Sequence, residues 1–150
     1  MQRLADQLKD SEEQYRDLYM RAPISYFTVG ADGLIERCNK AAEALVGRSA
    51  ADLLGRPVID LYSDAPQGKE KAMEVFQRFV AGKDISFEEL EMQREDGSSV
   101  WISLMVDIVR GPGGEVVESR SMAVDITERR QAEEALRDSE QRTRRLGHEN

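Results

Sequence analysis

Arg94-Glu95-Asp96-Gly97-Ser98-Ser99-Val100-Trp101 stands between two long runs of strand-forming residues. Asp-Gly in that setting is a hairpin signal, because glycine takes the positive φ that a tight turn demands. Upstream, Ile85, Phe87, Leu90 and Met92 are interleaved with Ser86, Glu88, Glu91 and Gln93. Downstream, Val100 to Val106 is rich in β-branched and aromatic residues, and Gly111-Pro112-Gly113-Gly114 marks a second turn before a third run, Val116 to Val124. The pattern predicts an antiparallel meander whose last two strands are central and well covered. The third strand runs straight into Asp125-Ile126-Thr127-Glu128 and a long charged helix. That join of sheet to helix is the candidate relay.

Residues 1–21 are nearly all good helix formers. Leu4, Leu8, Ser11, Tyr15 and Leu18 fall at alternating spacings of four and three, a coiled-coil seam with one polar position. Pro23 ends that helix. Ile24 to Gly30 and Leu34 to Asn39 read as a second hairpin about Ala31-Asp32-Gly33. Asn39 is placed to cap a short helix from Lys40 to Val46 that Gly47 closes, and Ser49 to cap another ending at Gly55. Gln67 to Val80 is amphipathic, with Ala72, Met73, Val75, Phe76, Phe79 and Val80 on one side. Leu8 to Leu18 matches Leu136 to Leu146 at six of eleven places, an offset of 128 residues, which suggests one full module plus the opening of another in a tandem array.

A chain of 150 residues, 40% hydrophobic and 33% charged, is the composition of one folded domain with its own core. A net charge of −8 with no basic patch argues against nucleic acid as a partner. No apolar run approaches the ~20 residues that span a bilayer, and Cys38 is the only cysteine, so a reducing, cytoplasmic setting is expected.

These features together resemble a PAS domain over roughly Leu18 to Thr127. Ala22-Pro23 leads into the first strand and Asp32-Gly33 into the second. Arg94-Glu95-Asp96-Gly97 and Trp101 match the family's late hairpin, and Asp125-Ile126-Thr127 its exit motif. The resemblance implies an α+β fold, a five-stranded antiparallel sheet with short helices and one longer helix on one face. Coiled-coil-type helices flank it, dividing the chain into 1–21, 22–127 and 128–150. It also implies a sensory or dimerising module of bacterial signalling proteins, often histidine kinases of two-component systems or cyclic-dinucleotide enzymes.

Cofactor-bearing PAS domains hold their ligand between sheet and helices, so each ligand chemistry has a residue test. Histidine-ligated haem needs an axial imidazole on the long helix, and Gln67 to Val80 has none. A flavin adduct needs a cysteine after the second short helix, where Gly55-Arg56-Pro57-Val58-Ile59-Asp60 stands instead. Non-covalent flavin, another small molecule, or no cofactor at all remain. No metal cluster, phosphate loop or nucleophile–base pair is apparent, so no enzyme is expected. Candidate lining for a pocket, or for a filled core, is Phe27, Val29, Leu45, Leu53, Ile59, Phe76, Phe79, Leu104, Val106, Met122 and Val124, with Trp101 as a ring to stack on or bury.

Asp125, Ile126, Thr127 and Glu128 form the candidate relay, with Asp125 or Thr127 capping the final helix. Beyond them Ala132, Leu136, Ser139, Thr143 and Leu146 continue a seam with only two large apolar residues. Such a seam pairs weakly, which suits a switch whose coupling is ~1–3 kcal/mol. The first reading is a parallel homodimer that relays a signal to an adjacent PAS or effector domain. The second is a ligand-free dimerising spacer. A third concerns Leu146-Gly147-His148-Glu149, which faintly resembles the phospho-acceptor segment of histidine kinases, although the internal repeat favours a second module there.

Overall fold

The computed structural model describes residues 2–148. Helix α1 (Gln2–Arg21) leads into β1 (Ser25–Gly30) and β2 (Ile35–Cys38), then α2 (Lys40–Val46) and α3 (Ala50–Leu53). A 3₁₀ turn (Val58–Leu61) and a wider turn (Pro66–Glu70) precede α4 (Lys71–Val80), and β3 (Ile85–Gln93), β4 (Ser99–Arg110), β5 (Val116–Asp125) and α5 (Thr127–His148) complete the chain. The strands form one antiparallel sheet in the order β2-β1-β5-β4-β3. β3, β4 and β5 are the expected meander, and β5 closes it against β1 at the centre.

Local chemistry accounts for the turns. Gly97 takes φ +89° in the β3–β4 hairpin, and the Asp96 carboxylate accepts from the Ser98 amide at 2.8 Å and its hydroxyl at 2.6 Å. α4 starts at Lys71, later than Gln67, because the chain kinks at Gly68. A Cβ on Gly68 would collide with the Ser63 carbonyl, so the backbones can pass there only without a side chain.

One face of the sheet carries the core. Phe27, Val29, Ile35, Leu90, Met92, Val100, Ile102, Leu104 and Val106 pack there under Ala42, Leu45, Val46 and Leu53 and under Ala72, Val75 and Phe79 of α4. The phase of β5 differs from the expected one, and β3 carries a bulge. In β5 the buried side chains are Ser119, Ser121 and Ala123, which leaves Met122 half-buried and Val124 exposed on the opposite face. In β3 the pairing runs Ile85↔Val106 and then Glu88↔Leu104, so three steps on β3 match two on β4. That bulge puts Phe87 at φ +56° and 70% exposed, while Ile85, Leu90 and Met92 on either side of it are buried.

Candidate functional site

Between the sheet and α4 lies an apolar void of about 50 Å³. Seven of the anticipated residues line it: Phe27, Val29, Ile59, Phe76, Phe79, Leu104 and Val106. Val58, Tyr62, Ala72, Val75, Ile85, Met92, Ser119 and Ser121 complete the wall. Three lining residues carry polar side chains, Tyr62, Ser119 and Ser121, and the two serine hydroxyls lie 3.1 Å from each other. Burial pushes the Tyr62 phenol well above its ordinary value, so it is neutral and a hydrogen-bond donor at any physiological pH. The two serines escaped the sequence reading because serine in a strand signals nothing by itself. Only the phase of β5 turns them inward.

The other candidates lie elsewhere. Leu53 is fully buried in the core beyond the void. Leu45 and Val124 border a surface groove with Pro23, Ser25, Arg94 and Asp125. Met122 projects from the far face of the sheet. Trp101 is half-buried on that same far face, with the Arg130 guanidinium of α5 stacked 3.8 Å above its ring. It neither lines the void nor joins the core, because the alternation that turns Val100 and Ile102 inward turns Trp101 outward.

Around Trp101 the sheet passes into α5 without a gap. The Trp101 carbonyl accepts from the Ile126 amide at 2.8 Å, and the Trp101 amide donates to Thr127 Oγ1 at 2.9 Å. The β4 ladder therefore continues through the join. Asp125 Oδ1 accepts from the Thr127 amide at 2.9 Å, and Asp125 Oδ2 lies 3.8 Å from Arg94, whose Nε donates to the Leu45 carbonyl at 3.1 Å. The capping role falls to Asp125 alone, since the Thr127 hydroxyl is spent on β4. Ile126 is buried and Glu128 exposed. On the same far face Glu89 accepts from Arg129 at 2.7 Å and Arg130 at 3.1 Å. On the helix-covered face Glu88 meets Arg78 at 2.9 Å and Lys71 at 3.6 Å, and the Arg78 hydrogen bond holds its carboxyl below the usual glutamate range.

At the other end of the domain, Asn39 is fully buried and binds four backbone groups. Its Oδ1 accepts from Tyr26 and Ala42 at 3.0 Å each, and its Nδ2 donates to the Tyr19 carbonyl at 3.0 Å and the Ile24 carbonyl at 2.9 Å. It caps α2, as expected, and also secures the end of α1. Tyr19 of α1 stacks on Tyr26, with ring centroids 5.9 Å apart. Along the rest of α1, Leu4, Leu8, Tyr15 and Leu18 are all exposed, as is Leu136 on α5. The side chains of Leu146 and His148 lie outside the described residues.

A family model for the PAS domain matches residues 23–128. The chain belongs to the PAS domain family. Solved structures give the same fold. A PAS domain from Colwellia psychrerythraea superimposes with a TM-score of 0.68 at 23% identity, covering 77% of this chain and 97% of that one. The PAS domain of an HTR-like protein from Haloarcula marismortui gives 0.70 at 21%, covering 84% and 100%. A light-oxygen-voltage domain studied with a flavin analogue gives 0.64 at 23%, covering 87% and 96%. No curated protein matches the sequence. Among the described residues of this PAS domain, no helix is long and apolar enough to cross a membrane. No group of three or more His, Cys, Asp or Glu among them is placed to hold a metal ion.

Proposed function

We propose that this PAS domain is a sensory module whose unit is residues 22–127. A change in its core is relayed through Asp125, Ile126, Thr127 and Glu128 into α5 and on to a downstream effector of the histidine-kinase or cyclic-dinucleotide type. The observation that carries the reading is the join itself. One residue, Ile126, separates β5 from α5, and both its amide and the Thr127 hydroxyl are bonded to the Trp101 backbone. A shift of the central strands therefore has a short, hydrogen-bonded route into the helix. Leu4, Leu8, Tyr15 and Leu18 on α1, and Leu136 with Leu146 on α5, would pair two copies in parallel as a coiled coil. Residues 1–21 and 128–150 then act as linker helices between modules of a tandem array.

What the core would sense is limited by its void. Pockets for drug-sized ligands run to about 300–1,000 Å³, and a cavity that takes up benzene is about 150 Å³. A void of about 50 Å³ walled by apolar side chains does not fit a flavin or a haem. A ligand would be small and uncharged, with one polar group for Ser119, Ser121 or Tyr62. The same small void favours a second reading, in which the core is simply filled and the domain is a dimerising spacer.

Light-scattering mass at micromolar concentration tests the dimer. About 34 kDa would support it, since two 17.0 kDa chains are bound together, whereas a monomer with both helices intact would remove it. Native mass spectrometry and a thermal-shift panel of small neutral molecules separate sensor from spacer. A bound or stabilising molecule supports the first, and a ligand-free, unresponsive protein supports the second.

A further inference from the structure

Extended backbone sends neighbouring side chains to opposite faces of a sheet. The bulge at Phe87 determines which face each of the next two residues receives. Glu88 pairs with Leu104 and turns toward α4, while Glu89 pairs with Ser103 and turns to the far face. Each carboxylate is then held by two cations from a different helix. Arg78 and Lys71 of α4 hold Glu88, and Arg129 and Arg130 of α5 hold Glu89. Lys71 touches both residues, because its Nζ also donates to the Glu89 carbonyl at 2.6 Å. Phe87 itself is 70% exposed and held at φ +56°. Its aromatic ring gains little burial there, so what it contributes is the extra residue that aims its neighbours.

We propose that Glu88-Glu89 is a second transmission element, a two-sided coupler that ties α4 to the first turn of α5 through the thickness of the sheet. The proposal rests on the reading that α5 carries the output. The two Cα atoms are joined by one planar peptide bond, and Lys71 grips both the Glu88 carboxylate and the Glu89 carbonyl, so a movement of α4 that turns this stretch of backbone carries both side chains with it. The strand bearing them is the one α4 packs on most extensively. α4 also supplies Ala72, Val75, Phe76 and Phe79 to the wall of the void. Repacking of that wall would thus reach Arg129 and Arg130 without passing through β5. Arg130 carries it onward, because its guanidinium is both a partner of Glu89 and the cover of Trp101.

The chain has one tryptophan, so Trp101 emission and its quenching by acrylamide report the seating of α5 directly. The perturbation belongs on the opposite face, as Arg78→Gln. The expected result is easier quenching of Trp101, together with about fivefold faster amide exchange over residues 129–133, the lower end of measured couplings between sites. Glu88→Gln should give the same change, and the double variant no more than either single one, because both remove one contact. Gln77→Gly is the control, since it weakens α4 at an exposed position without touching Glu88. It should leave Trp101 at its wild-type value. Unchanged quenching in Arg78→Gln, or an equal change in Gln77→Gly, would overturn the coupler. The measurement needs neither a partner copy nor an effector, so a monomeric protein would remove the dimeric output while leaving the coupler to be judged on its own.

Discussion

Replacing Asn39 tests how the incoming helix is tied to the sheet. A primary amide offers two donors and two acceptor sites, and all four are used, on Tyr19, Ile24, Tyr26 and Ala42. Asn39→Ala removes a helix N-cap, which costs about 1 kcal/mol, and leaves three further backbone groups short of a partner at about 1 kcal/mol each. Together these amount to roughly 3–4 kcal/mol, a large part of the 5–15 kcal/mol that holds an ordinary domain. Asn39→Asp separates the two jobs. It keeps both accepted bonds, including the cap on Ala42, but sets a carboxylate against the Tyr19 and Ile24 carbonyls. We expect it to cost about 2–3 kcal/mol, from two lost donors and the repulsion that replaces them. Its folded carboxyl should titrate above its unfolded value. The penalty is then greatest at neutral pH and eases as the pH falls toward about 4, where the protonated acid regains a donor. Urea unfolding followed by Trp101 fluorescence measures both variants, and amide exchange shows which helix is freed. In Asn39→Asp the last turn of α1 should exchange faster while α2 stays protected. The reasoning fails if Asn39→Ala costs less than about 1 kcal/mol, or if the Asp variant is no better than Ala at any pH.

Two further outcomes follow from charge and burial. Glu88→Gln should lower stability by about 0.5–1 kcal/mol at pH 7, the worth of a partly exposed ion pair. The folded carboxyl is held below its ordinary value, so its contribution is present above the usual glutamate range and lost as the pH falls through the folded value. Urea midpoints of the two proteins should therefore converge as the pH falls below the usual glutamate range and through the folded value, and a pH-independent gap would contradict the assignment. Cys38 is 6% exposed and burial pushes its thiol up. Ellman's reagent should leave it unmodified at pH 7 in the folded protein and titrate one thiol per chain once urea unfolds it. Rapid native labelling would mean that β2 opens readily.

The features legible in the linear chain are those whose chemistry is complete within a few residues. Asp96-Gly97 specifies its turn with its own carboxylate and a positive φ. Asn39 caps the helix three residues on, and the Val100 to Val106 run makes a strand by propensity. The order of these signals carried the resemblance to a PAS domain, and the resemblance implied the five-stranded sheet and a space between sheet and helices, where seven of the anticipated residues lie. Tertiary structure alone decided which way several of those strands face. Met122 and Val124 are more apolar than Ser119, Ser121 and Ala123, yet the smaller set is buried, because the pairing of β5 with β1 and β4 sets the phase for the whole strand at once. One extra residue in β3, invisible in its composition, turned Phe87 out and aimed Glu88 and Glu89 at different helices. Trp101 found a cation from a helix 29 residues further along, and the second pair of Asn39 hydrogen bonds reached back to α1 and its linker. Propensity and turn chemistry act within a few residues, whereas the face a side chain takes and the partner it meets depend on contacts between distant segments, which form only once the sheet has closed.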